Sequence, residues 1–326
     1  MQIGFHASHE QFSPRHLLEL VKLAENAGFE AVLSSDHFHP WGSAQGESGF
    51  AWSWLGAAMQ ATQLDFAIVN APGQRYHPAI IAQAVATLDE MFPGRFFIAV
   101  GSGQALNENI TGGQWPSKEM RNERLKESAA VMRELWQGGY VTRDGIVKIE
   151  KAKLFTKPVS DPIVYGAALT EETAQWLTGW ADGMITVSKP MEQLEKMAAA
   201  FKKNAPGKPM ALKVQVSYDP SEEAALEGAW EQWKNNIFPS SLLSEINTPE
   251  QFDALGASVR KEDIKEHVII SSDPEVYIEK IKAFSAMGFK KIYMHNVNRQ
   301  QEKFIKFFGT QVLPHFKNMG NNNVSR

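Results

Sequence analysis

Short apolar runs alternate with stretches of helical period along most of the chain. Ile3–Ala7 reads as a buried strand. Ser13-Pro14 then opens a helix, with Ser as N-cap and Pro as first helical residue. Leu17, Leu18, Val21, Leu23 and Ala24 form its apolar face, and Gly28 stops it. Ala31–Ser35, Phe66–Ala71 and Phe96–Gly101 read as the next three strands, separated by helices over Trp52–Thr62 and Pro78–Met91. A charged amphipathic helix over Ser117–Trp136 leads into a hairpin, Val141–Lys157, turning on Asp144-Gly145. Ile163–Gly166, Met184–Val187 and Ala211–Tyr218 are the fifth to seventh strands, with helices over Thr170–Trp180 and Met191–Lys203 between them. Residues 219–272 are helical and polar, without a clean strand. Ser272-Asp273-Pro274-Glu275 caps a helix ending near Gly288; Lys291–His295 is the eighth strand and Gln300–Phe316 the last helix.

Eight strands, mostly followed by helices, predict an α/β chain closed into a (β/α)8 TIM barrel with an insertion between strands 7 and 8. Residues 1–317 then form one domain, and 318–326 a frayed polar tail. An open doubly wound sheet is the competing arrangement, but no Gly-x-Gly-x-x-Gly follows the first strand. A barrel does its chemistry just past the strand C-termini. That rule selects Ala7–Glu10, Asp36–Trp41, Asn70–Tyr76, Gly101–Glu108, Ala167–Thr170, Ser188–Lys189, Tyr218 and His295–Asn296.

Composition narrows the field. A chain of 326 residues, 43% hydrophobic and 21% charged, buries a large core and is not a disordered polymer. The absence of cysteine excludes disulfides, thiolate metal sites and cysteine nucleophiles. A net charge of −4 argues against a nucleic-acid partner. No apolar run reaches the ~20 residues of a membrane span, and no basic stretch precedes an apolar leader, so a cytoplasmic location is expected.

The richest segment is Ser34-Ser35-Asp36-His37-Phe38-His39-Pro40-Trp41, which sets a carboxylate, two imidazoles and an indole just past the second strand. Histidine titrates near neutrality without help and suits proton transfer, although a loop histidine is as often structural. Asp36, His37 and His39 lie too close in sequence to converge on a metal, and no metal-binding spacing of histidines occurs, so none is expected. Gly101-Ser102-Gly103 lets a flat or anionic ligand approach the backbone, though such a pair of glycines is often only a turn. Thr170-Glu171-Glu172-Thr173 reads as a helix start, a plain cap or a phosphate seat.

Taken together, the motifs resemble one family. Ala7-Ser8-His9-Glu10-Gln11-Phe12-Ser13-Pro14, Ser35-Asp36-His37-Phe38 with Pro40-Trp41, Arg75-Tyr76-His77-Pro78-Ala79-Ile80-Ile81-Ala82-Gln83, Val100-Gly101-Ser102-Gly103-Gln104-Ala105-Leu106-Asn107-Glu108, Ser217-Tyr218-Asp219-Pro220 and Ser272-Asp273-Pro274 are similar to those of the luciferase-like flavin and deazaflavin oxidoreductases. Within it they are closest to the glucose-6-phosphate dehydrogenases that use the deazaflavin coenzyme F420. The resemblance spans almost the whole chain and implies a barrel with the ring in its mouth. It implies that Asp36 lies against the coenzyme, that His37 moves a proton beside the hydride position and that Trp41 walls the substrate. It also implies a non-prolyl cis peptide at Ile68-Val69 behind the ring. Contacts are implied from Gly101, Ser102 and Gly103, with Gln104 and Asn107 beyond, and a phosphate end at Ala168, Leu169 and Thr170.

The departures carry as much. The family's dehydrogenases have a glutamate where this chain has Gln104, and an amide cannot donate or take the proton. Glu10 is the expected substitute. Of the cations that hold a sugar phosphate in the family, Lys189 is retained, but the other positions read Leu243, with Ser244 beside it, and His267. Glucose 6-phosphate is therefore not the expected substrate. Lysine outnumbers arginine, unlike the arginine-rich style of actinobacteria that make the deazaflavin. On that ground FMN is the first expectation for the coenzyme and F420 the second. The reading is an oxidoreductase that performs hydride transfer or monooxygenation on a small molecule, with Trp41, Gln104, Lys189 and His267 around the substrate. The first alternative is an F420-dependent dehydrogenase of an alcohol or sugar, and the second a non-catalytic flavin-binding barrel. A barrel aldolase, with Lys213 or Lys291 as its strand-borne lysine, comes third. A homodimer is expected, paired through the apolar helices Trp52–Thr62 and Pro78–Met91.

Overall fold

All eight expected strands form, and they close on themselves. In the computed structural model, which describes residues 1–317, they are β1 (Gln2–Ala7), β2 (Ala31–Ser34), β3 (Asp65–Asn70), β4 (Phe96–Val100), β5 (Val164–Ala167), β6 (Gly183–Val187), β7 (Met210–Ser217) and β8 (Phe289–Asn296). Their order is β7-β8-β1-β2-β3-β4-β5-β6, and β6 pairs back onto β7. Every pairing around the ring is parallel, so the chain is a closed (β/α)8 barrel. The expected tail, 318–326, lies outside the described residues.

Strand alternation divides the core into two layers. On β4, Phe96, Ile98 and Val100 pack against the helices, while Phe97 and Ala99 face the barrel axis. Tyr165, Tyr293, Ala67 and Ile185 join Phe97 in the inner layer. The barrel is therefore plugged low down by aromatic side chains. Gly4 makes room for one of them, because a Cβ there would lie 2.4 Å from the Tyr293 ring. Above this plug the inward positions are smaller or polar, and the mouth is open.

The helices follow the expected pattern, with differences of physical origin. Ser117 and Asp273 cap their helices through the side chain, whereas Ser13 makes no such bond and leaves that start to Pro14. The last helix is α-helical only over Gln301–Phe307 and then widens into a π turn over Phe308–Val312. The hairpin forms with Val141–Asp144 against Lys148–Ala152. The stretch after β7 does hold a strand, Ile269–Ile270, which adds to the upper end of β7 at Val216 and Ser217. Two residues are too few to show a period, and they bring His267 and Val268 to the rim. The expected cis peptide at Ile68-Val69 is corrected: among the described residues no peptide bond is cis. Ile68 and Val69 pair in unbroken register with Ser34, Ile98 and Ala99, as regular trans backbone does.

Candidate functional site

A large cavity of about 1640 Å3 opens at the C-terminal ends of the strands. That exceeds the ~300–1,000 Å3 of ordinary ligand pockets and leaves room for a coenzyme as well as a substrate. Its wall includes Glu10, Asp36, His37, Trp41, Val69, Gly101, Ser102, Gly103, Gln104, Asn107, Ala168, Leu169, Thr170, Lys189 and His267, all but one of the residues expected to serve coenzyme, substrate or proton transfer. The exception is Ile68. It is fully buried in the outer layer among the helices, because β3 turns Val69 inward and its neighbour outward.

The loops after β1 and β2 meet at a proton-handling pair. Glu10 Oε1 lies 3.2 Å from His37 Nδ1. The other carboxylate oxygen accepts hydrogen bonds from Ser8 Oγ (2.9 Å) and Ser35 Oγ (2.7 Å). Burial pushes the Glu10 carboxyl up, but His37 and the Ser35 hydroxyl outweigh it and hold it below the ordinary value. Burial lowers His37, with Arg75 assisting, against the opposing pull of Glu10 and Asp36. The resting pair is thus a carboxylate beside a neutral imidazole. Trp41 packs edge-on against His37 at 4.9 Å and against Phe252 at 5.3 Å, which fixes the imidazole from its other side. Asn107 steadies the same loop by accepting the Phe38 and His39 backbone N–H groups, so its carbonyl serves the protein itself.

Asp36 is held by residues that the sequence places at the rim and in a motif but gives no role. Asn70 Nδ2 donates to it at 2.6 Å and the Tyr76 hydroxyl at 3.2 Å. Arg75 donates to its backbone carbonyl at 2.8 Å and lies 3.4 Å from its carboxylate. The same guanidinium is 3.5 Å from Glu108, which also accepts the Arg75 backbone N–H. Burial raises Glu108 despite Arg75. A charged Arg-Tyr pair in a loop ordinarily points to water, so spacing alone did not mark it as a buried clamp. Asn70, as the last residue of β3, carried the barrel-rim signal and nothing more.

The far wall explains the departures at the substrate positions. Leu243 is buried in an apolar cluster with Leu106, Ile246 and Phe252, against which Trp41 packs. Ser244 hydrogen-bonds Glu245, and Glu245 in turn neutralises Arg121 at 3.0 Å. Burial lowers both Lys189 and His267. Thr170 caps the N–H of Thr173 at the start of a seven-residue helix that continues with Glu171 and Glu172. Among the described residues no three His, Asp or Glu side chains are grouped to hold a metal.

A family profile described as luciferase-like monooxygenase matches residues 1–291. The chain belongs to this family. The F420-dependent glucose-6-phosphate dehydrogenase of Mycolicibacterium fortuitum is 35% identical, over 98% of this chain and 99% of that protein. A solved F420-dependent secondary alcohol dehydrogenase, in complex with an F420–acetone adduct, superposes with a TM-score of 0.90 at 33% identity, over 96% of this chain and 98% of that one. The oxygenating component of 3,6-diketocamphane monooxygenase from Pseudomonas putida, in complex with FMN, has a TM-score of 0.69 at 16% identity, over 96% and 98% of the two chains, and shows the fold alone. With such relatives this family member is an oxidoreductase. The near relatives at 33–35% identity are F420-dependent, which favours the second coenzyme expectation over the first. Amino-acid style reflects the host genome more than the pocket.

Proposed function

We propose that this protein is an F420-dependent oxidoreductase that interconverts a small alcohol and its carbonyl compound, and that sugar phosphates are not its substrates. The Glu10–His37 pair carries this reading: a neutral imidazole backed by a carboxylate takes or gives one proton at the substrate oxygen. The cavity residues fit a flavin-like ring. Asn70 Oδ1 is buried without a hydrogen-bond partner and can accept an N–H from the edge of such a ring. The Gly101–Gly103 turn keeps side-chain bulk away from it. The deazaflavin, when bound, supplies two-electron hydride chemistry. Asp36, held by Asn70, Arg75 and Tyr76, orients that side of the cavity. Trp41 and the Leu243 cluster make one wall of the substrate space apolar. Glu10 takes over the proton-handling role that Gln104 cannot fill.

The near relatives' dependence on F420, at 33–35% identity over nearly the full chain, supports the deazaflavin over FMN. The apolar setting of Leu243 and the neutralised Arg121 support an unphosphorylated substrate. The test is turnover: a secondary alcohol should bleach oxidised F420 in the presence of the enzyme, and glucose 6-phosphate should not. Bleaching by glucose 6-phosphate alone overturns the substrate assignment.

A further inference from the structure

Lys213 stands apart from the machinery described so far. On β7, Leu212, Val214 and Val216 belong to the outer core, so Lys213 faces inward, at the floor of the cavity. Its ammonium has no hydrogen bond and no carboxylate within ion-pairing distance among the described residues. The centre of the Trp233 ring lies 5.8 Å from its Nζ.

None of its polar neighbours bonds the ammonium among the described residues, and His6 and His295 each keep a buried Nδ1 without a partner. Glu10 is the one carboxylate whose charge Lys213 feels, and it is shared among Ser8, Ser35 and His37. His6 and His295 stack at 4.2 Å, and burial drives both far toward the neutral form. Gln215 Oε1 accepts from Ser188 at 2.5 Å. Lys213 is half-buried, and without a protein partner it turns its donors toward the cavity. Leu33, Val69 and Ile185 line the same cavity.

We propose that Lys213 forms an anion subsite at the cavity floor and selects substrates that carry a carboxylate close to the reacting carbon, as short hydroxy acids and their oxo acids do. This rests on the oxidoreductase reading above, whose reacting oxygen lies at His37. Lys213 and His37 line the same cavity, so a ligand held at His37 shares its space with the Lys213 ammonium. The carboxylate is a handle and takes no part in the bond changes.

Lactate and propan-2-ol differ by a carboxylate in place of a methyl group. Ligand-observed NMR titration of the coenzyme-free protein should show lactate binding at least tenfold more tightly than propan-2-ol. Lys213→Met should erase the difference, and Lys213→Arg should keep most of it. Equal binding of both ligands by the native protein, or a lactate preference that survives Lys213→Met, overturns the proposal. If Lys213→Met does not fold by circular dichroism, Lys213→Gln is titrated in its place and read by the same criterion. Coenzyme binding is measured separately by quenching of F420 fluorescence. Binding of F420 without a lactate preference overturns the subsite alone; a lactate preference without F420 binding overturns the coenzyme reading alone.

Discussion

Glu10 Oε1 and His37 Nδ1 lie 3.2 Å apart, one side chain delivered by the loop after β1 and the other by the loop after β2. The carboxylate stabilises the imidazolium that forms when His37 takes a proton. Glu10→Gln keeps the shape and removes the charge. Turnover should fall by about 10²-fold or more, within the range of general acid–base effects. The dissociation constant for F420 should change less than twofold. Steady-state kinetics together with a binding titration checks both, and undiminished turnover removes Glu10 from the mechanism.

Arg75 holds two buried carboxylates, Asp36 and Glu108, at 3.4 and 3.5 Å. Arg75→Ala leaves both without their cation. Breaking a buried pair costs about 3–5 kcal/mol. The low end of that range is expected, because burial already raises Glu108 and lets it take up a proton. A urea unfolding midpoint measures the loss, and adding Glu108→Gln to the variant should recover part of it.

The architecture was legible because each strand is an apolar run of the right length between helices of clear period. The short strand Ile269–Ile270 was not, since two residues carry no periodicity. Asp36, His37, Trp41 and the glycine turn were legible from the rim rule and their motifs. Ile68 was misplaced because a motif names a segment, while the strand's period of two decides which neighbour faces inward. Arg75 and Tyr76 were missed as site residues because their burial depends on Asp36 and Glu108, which come from other loops.

Two glycines of one turn should respond differently to alanine. Gly103 has φ +81°, and a Cβ there would lie 2.9 Å from Glu108 Cγ, so Gly103→Ala should cost on the order of 1–3 kcal/mol and distort the turn. Gly101 has ordinary backbone, and a Cβ would meet only Ala167 Cβ at 3.5 Å. Gly101→Ala should leave the melting temperature unchanged within about 2 °C. F420 affinity should drop at least fivefold in both. An unaltered affinity in Gly101→Ala removes that residue from the coenzyme contact.

Stability should fall with acid before the carboxylates titrate. Burial pushes His9 down to about 4, while in the unfolded chain it takes its proton near 6.5. Between those values the unfolded state binds more protons, so stability rises with pH through this window and is lost as pH falls through it. For His9 alone the full loss is on the order of 3 kcal/mol. His6, His37 and His295 are shifted in the same direction and steepen the slope. Denaturant melts between pH 7 and pH 4 measure the slope, and His9→Gln should flatten it by about one proton.

The central claim is that the cavity between Asp36 and the Gly101–Gly103 turn holds a deazaflavin. Equilibrium titration of the purified protein with F420 and with FMN, each followed by its own fluorescence, tests this most directly. F420 is expected to saturate one site per chain at micromolar concentration or tighter, with FMN at least a hundredfold weaker and the F420 signal lost in Asp36→Ala. Tight one-to-one binding of FMN, with F420 failing to compete, contradicts it.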